Sequence, residues 1–242
     1  MNGNLLEIGF WQPLLVRTVS VGDEPTPIRI LYISDIHLRP HRSKRLCDQI
    51  LVAARSAAPD VVLLGGDLTD RRSELHHLSV LVTQLRQLAP VLVVAGNHDL
   101  NLGVSLVREA VDSGGGMWIH DSMELISHGS RVISIAGPDY RTEPEDREEA
   151  GRNDVRILCA HNPRIWKTAR DQSFDLVLAG HLHGCQFVAF EYHDRLYPGA
   201  WFYPYCYLNH RGQRSMLVVS RGVSDLIPIR WRCPREVVLC LV

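Results

Sequence analysis

Three continuous apolar runs open the readable pattern of the chain, at 28–34, 61–64 and 91–95. Each has strand length and is flanked by segments whose apolar positions recur at helical spacing, 42–57, 75–88 and 102–112. Strands apolar on both faces, alternating with helices, predict βαβ units and a parallel sheet. Residues 13–21 alternate loosely and predict an edge strand. The pattern then changes. Short strands are predicted at 123–127, 132–136, 155–160, 176–178, 187–190, 216–220 and 237–242, with few helices between them. This implies a second sheet, mostly antiparallel or mixed, packed on the first. The run 141–154 is densely charged and reads as a solvated loop. No repeat divides the chain, so 1–242 is read as one α/β domain.

Composition narrows the class of protein. Hydrophobic residues make up 45% of the 242 and charged residues 22%, which excludes intrinsic disorder. Lys and Arg number 26 against 27 Asp and Glu, a net charge of −1. That balance argues against a general nucleic-acid or anionic-membrane binder. Six cysteines without a CxxC pair read as reduced thiols. Glu7, Gln12, Pro13 and Arg17 break up the first twenty residues, so neither a leader nor a transmembrane segment is expected there. Together these features predict a cytoplasmic protein.

The chemistry lies just after the strands. The first strand runs into Asp35-Ile36-His37, the second into Gly66-Asp67-Leu68-Thr69-Asp70, and the third into Gly96-Asn97-His98-Asp99. Asp35 and Asp67 are 32 residues apart, and Asp67 and Asn97 are 30 apart, one βαβ repeat each. That spacing places all three clusters at the carboxyl edge of one sheet, where open α/β sheets bind ligands. Two later strands run into His161 and into Gly180-His181-Leu182-His183-Gly184. Imidazoles with carboxylates and an amide suit Mn, Fe, Zn, Co or Ni better than an all-oxygen or thiolate site. Asp35, His37, Asp67, Asn97, His161, His181 and His183 are too many for one ion, and Asp67 is the best placed to bridge two. Gly66, Gly96, Gly180 and Gly184 are expected to take positive φ and let backbone approach the ions. Two dications, two aspartates and a hydroxide leave a centre of about +1, matched to a phosphodiester anion.

These motifs, in order from about residue 28, resemble the calcineurin-like metallophosphoesterases. His161-Asn162-Pro163, the run 175–186 and the tail 220–242 resemble the bacterial cell-envelope phosphodiesterase branch, with Leu182 and Cys185 where that branch more often has Thr and Gly. The resemblance implies a four-layer αββα sandwich of two mixed sheets flanked by helices. It implies one ion on Asp35, His37, Asp67 and His183, and a second on Asp67, Asn97, His161 and His181. It places His98 off the metals as the acid for the leaving oxygen, with Asp70 orienting it. Arg71 is a candidate phosphate contact, and Arg39 and His41 are lesser ones.

The expected function is binuclear hydrolysis of a small phosphoester. A diester is favoured, with a metal-bridging hydroxide as nucleophile and manganese foremost among the ions. One alternative is cleavage of the pyrophosphate of UDP-diacylglucosamine in the lipid A pathway. In that case the aromatic run 197–207 would bind acyl chains; otherwise it reads as core and β-turns. An alternative of another class is a catalytically silent scaffold on the same fold. Such a scaffold would have eroded ligands and lack the GNHD histidine, whereas all seven ligands and His98 are present.

Overall fold

The computed structural model describes residues 6–138, 155–172, 174–212 and 215–242. The charged run 141–154 lies outside these residues.

The first sheet contains β2 (Leu15–Ser20), β3 (Arg29–Ile33), β4 (Val61–Gly65), β5 (Val91–Val94), β6 (Met117–Trp118) and the last strand, β16 (Glu236–Leu241). Its order is β2-β16-β3-β4-β5-β6. The four strands β3 to β6 run parallel, and β2 takes the predicted edge. Alternation along each strand explains the layering. Ile30, Tyr32, Val61 and Leu63 face the second sheet, while Leu31, Ile33, Val62 and Leu64 face the helices. Helices α1 (Ser43–Ala57), α2 (Leu75–Arg86) and α3 (Asn97–Ser113) cover that outer face. In α2 the buried residues are Leu78, Leu81, Val82 and Leu85, the i, i+3, i+4, i+7 stripe of an amphipathic helix.

The second sheet contains β7 (Met123–His128), β8 (Arg131–Ala136), β9 (Val155–Cys159), β10 (Leu176–Ala179), β13 (Asn209–Arg211) and β14 (Met216–Val219). Its order is β13-β14-β10-β9-β8-β7, parallel through β14-β10-β9-β8 and antiparallel only at its margins. The short α4 (Trp166–Ala169) forms the outermost layer, with Trp166, Ala169 and Phe174 against Leu158, Val177 and Leu217. The result is the expected four-layer αββα sandwich.

Three expectations are corrected. The terminal strand joins the first sheet, hydrogen-bonded between β2 and antiparallel β3, and is buried there on both faces: Val238 and Cys240 between the sheets, Val237 and Leu239 toward the helices. The segment around 187–190 belongs to a separate hairpin, β11 (Val188–Tyr192) with β12 (Arg195–Pro198). The helix expected at 102–112 begins five residues earlier, at Asn97, so the third motif is a helix start rather than a loop. The short β1 (Leu6–Ile8) and β15 (Ile229–Trp231), which pair with each other, have too few residues for a periodicity to register.

Candidate metal centre

The carboxyl ends of β3, β4 and β5 meet those of β9 and β10 across the sandwich. Backbone hydrogen bonds lock the loops together. Asp35 N–H donates to Gly66 O, His37 N–H to Asp67 O, and Gly180 N–H to His161 O. The loop after β14 closes from the other side, with Val223 and Ser224 N–H donating to Ser34 and Asp35 carbonyls. Buried Glu236 secures that loop through Arg221 and Arg17, and Glu236 N–H donates to Gly222 O.

Three groups of donor atoms result: Asp35, His37 and His183; Asp67, His161 and His181; and His37, Asp70 and His98. Asp67 Oδ2 lies 3.6 Å from His37 Nε2 and 3.2 Å from His161 Nε2, so one oxygen faces both of the first two groups. Asp35 Oδ1 is 3.5 Å from His183 Nε2. His181 Nδ1 and His161 Nε2 are 3.2 Å apart. Each remaining imidazole is held through its other nitrogen. His37 Nδ1 is 2.9 Å from Asp70 Oδ1, His161 Nδ1 is 2.9 Å from Gly65 O, and His183 Nδ1 is 2.9 Å from Ser224 O. Holding Nδ1 on an oxygen leaves Nε2 as the ligand atom. His37 Nε2 is buried without a hydrogen-bond partner. A buried nitrogen lone pair facing carboxylates fits a cation and is otherwise costly.

The backbone is bent to bring these atoms together. Asp35, His37, Asp67, His181 and His183 all have positive φ, at 57°, 46°, 54°, 71° and 51°. Such conformations cost of order 1–3 kcal/mol each and cluster at functional sites. The positive φ expected of the glycines is therefore found largely at the ligand residues themselves. Gly66 and Gly184 do have positive φ. Gly96 and Gly180 do not, and serve by their lack of a side chain: a Cβ there would lie 2.2 Å from Asp67 Oδ1 and 2.4 Å from Asp35 Oδ2.

Charge is concentrated here. Burial alone would raise the Asp67 carboxyl, but the bond to His161, the nearby His37 and the His98 N–H hold it at about 2. Burial opposes the charge on His161 as well, yet Asp67 and Asp35 push its pKa up to about 9. Burial and the neighbouring His161 lower His181. A cation held by this group would displace a proton that the carboxylates otherwise attract.

His98 stands apart from the two groups around Asp67 and Asp35. Its Nδ1 is 2.7 Å from Asp70 Oδ1, the partner expected from the sequence. Its backbone N–H donates to Asp67 Oδ1 at 2.8 Å. Asn97 opens α3 and is exposed, as is Arg71. Two residues that sequence reasoning missed complete the frame. Asp225 Oδ1 lies 3.0 Å from His183 Nδ1, and Arg230 clamps that carboxylate with bonds of 2.6 and 2.8 Å. No local motif links an aspartate to a histidine 42 residues earlier in the chain. Buried Asp99 ties α3 to the β4 loop by accepting from Gly96, Leu68 and Thr69 N–H, and burial pushes its carboxyl up to about 7. The run 197–207 is only partly core: Ala200 and Cys206 are buried, but Trp201, Phe202 and Tyr203, on the short helical turn that follows the hairpin outside both sheets, are exposed.

A sandwich of two mixed sheets with carboxylate–imidazole clusters at their facing strand ends is the framework of a metal-dependent phosphoric ester hydrolase. The sequence profile of the calcineurin-like phosphoesterases matches residues 28–185, and the chain belongs to that family. It is 28% identical over 251 residues to phosphodiesterase YaeI of Escherichia coli (strain K12), covering 96% of this chain and 88% of the relative. It is 32% identical over 201 residues to the transmembrane protein with metallophosphoesterase domain of Danio rerio, covering 72% of this chain and 46% of the relative. Among solved structures, TT1561 of Thermus thermophilus matches with a TM-score of 0.52 at 13% identity, over 83% of this chain and 92% of the other. A dimetal phosphatase from Danio rerio matches with a TM-score of 0.50 at 12% identity, over 85% and 89%. No helix among the described residues is long and apolar enough to cross a membrane.

Proposed function

We propose that this chain is a binuclear phosphodiesterase. The observation that carries the reading is Asp67 Oδ2, flanked by His37 Nε2 at 3.6 Å and His161 Nε2 at 3.2 Å. One carboxylate oxygen serving two imidazole groups is the arrangement that two ions sharing a ligand require. Asp35, His37, Asp67 and His183 would hold one ion, and Asp67, Asn97, His161 and His181 the other. Manganese is the ion proposed. Bound there, the ions would supply Lewis acidity to the phosphoryl oxygens and acidify the attacking water.

The protein supplies the leaving-group proton. His98 Nδ1 bonds to Asp70, whose charge stabilises the imidazolium and turns Nε2 toward the substrate. His37 and Arg39 hold the Asp70 carboxyl well below the usual range against the opposing effect of burial, so it stays an anion. A diester suits the small positive charge of the loaded centre, and YaeI carries the name phosphodiesterase. A second reading, pyrophosphate cleavage in a nucleotide-sugar lipid, is favoured by the exposed aromatics Phe190, Trp201, Phe202 and Tyr203 on the segment that follows His183. Turnover by manganese-loaded protein should be compared on bis(p-nitrophenyl) phosphate, p-nitrophenyl phosphate and UDP-diacylglucosamine. The diester is expected to be fastest of the three. Faster turnover of the monoester would overturn the diester preference, and faster turnover of the lipid would establish the second reading.

A further inference from the structure

Asp70 gathers three donors. Its Oδ1 takes His37 Nδ1 at 2.9 Å and His98 Nδ1 at 2.7 Å, and its Oδ2 takes Arg39 Nε at 2.5 Å. A single buried carboxylate thus joins a candidate metal ligand, the candidate acid and a guanidinium. Arg39 is fixed at its backbone as well. Its carbonyl accepts from Ser43 N–H and Ser43 Oγ at the start of α1.

The arginines around the centre divide by what they do with their terminal nitrogens. Arg42 donates to the carbonyls of His37 and Asp225. Arg221 is committed to Glu236, and Arg230 to Asp225 and neighbouring carbonyls. Arg39 binds protein through Nε alone, and its terminal amino groups have no partner among the described residues. The Arg39 side chain is 31% exposed, the same as that of His98 on the other oxygen of Asp70. Arg71, by contrast, is exposed; Thr69 Oγ1 holds its backbone, but its side chain has no hydrogen-bond or ion-pair partner among the described residues.

We infer that Arg39 is the substrate-binding arginine, its terminal amino groups taking a non-bridging phosphoryl oxygen of the ester while its Nε stays on Asp70. A guanidinium fixed at one edge loses little freedom on binding and presents a planar pair of donors to phosphate. Placing the fork and the acid on one carboxylate sets the phosphoryl group beside the proton that its leaving oxygen will receive. This inference rests on the phosphodiesterase reading above and names the residue that recognises the anion.

The test uses manganese-loaded protein with inorganic phosphate as the probe. Phosphate affinity is measured calorimetrically, kcat and KM on bis(p-nitrophenyl) phosphate, and metal content by elemental analysis. Arg39→Gln should weaken phosphate binding and raise KM about 10- to 100-fold, the range of a charge-assisted hydrogen bond. Metal content at saturating manganese should not change. Arg39→Lys, which keeps the charge and a donor for Asp70, should recover only part of the loss because it lacks the fork. Arg71→Gln should bind phosphate like the parent. Undiminished phosphate affinity in Arg39→Gln would overturn the assignment. So would a loss confined to kcat, with a displaced acid limb in the pH profile and full recovery in Arg39→Lys, since that is the signature of a residue that only positions Asp70. The metal count separates this result from the two-ion reading: a single ion with the Arg39 effect intact would fail that reading and support the assignment.

Discussion

His37 and His183, on one side of the centre, are tied down far more firmly than His161 and His181 on the other. His37 rests on the carboxylate of Asp70, and Arg42 donates to its carbonyl. His183 rests on Ser224 O and on Asp225, itself held by the buried Arg230. Among the described residues no charged group stands behind either imidazole of the opposite pair, although the His181 backbone N–H donates to the Asp35 carboxylate at 3.1 Å. His161 Nδ1 is held by one neutral carbonyl, Gly65 O, and His181 Nδ1 lies 3.2 Å from His161 Nε2. Carboxylates behind an imidazole raise its basicity and fix its orientation, and outer partners of this kind are worth roughly 10- to 100-fold in metal affinity. The comparison teaches that the two positions should differ in strength: a firm one at Asp35, His37 and His183, and a looser one at His161 and His181.

The largest expected effect tests whether His98, which hangs from the firm side, is free of the metals. His98→Ala should lower turnover by about 10²–10⁴-fold, the usual contribution of general acid catalysis, while metal content stays at the parent value. The loss should shrink for esters with better leaving groups. Release of an ion by this variant would make His98 a ligand and redraw the boundary between the two sides.

A smaller effect sharpens the difference itself. Asp225→Asn keeps an acceptor beside His183 and Arg230 but removes the charge. Stepwise extraction with a chelator, followed by elemental analysis, should show the firm ion weakened roughly 10- to 100-fold and the looser one unchanged. Equal weakening of both ions, or of neither, would erase the distinction drawn from the geometry.

The same asymmetry explains what can be read from the chain alone. Asp35, His37, Asp67, His161, His181 and His183 follow apolar strands directly, so strand periodicity marks their positions. The pairing of Asp70 with His98 is legible because both lie in recognisable motifs, and it is present at 2.7 Å. Asp225 and Arg230 are not legible, because they reach His183 only when the loop after β14 folds back onto Asp35. Arg39 ranks below Arg71 in the sequence because its value depends on a bond to Asp70, 31 residues away. The terminal strand falls to the wrong sheet for a related reason. A short apolar run is buried equally well in either sheet, and only the antiparallel register of β16 with β3 decides between them. The exposed aromatics at 201–203 go the same way, since composition alone does not distinguish a core run from a short helical turn standing outside both sheets.

The central claim is that Asp67 serves two ions. The most direct test is a manganese titration of metal-free protein, with bound ion counted by elemental analysis, for the parent and for Asp67→Ala. The parent should bind about two ions per chain in two steps of unequal affinity, and Asp67→Ala should lose both steps together. Saturation of the fully active parent at one ion, or an Asp67→Ala protein that keeps one step at parental affinity, would contradict the shared carboxylate.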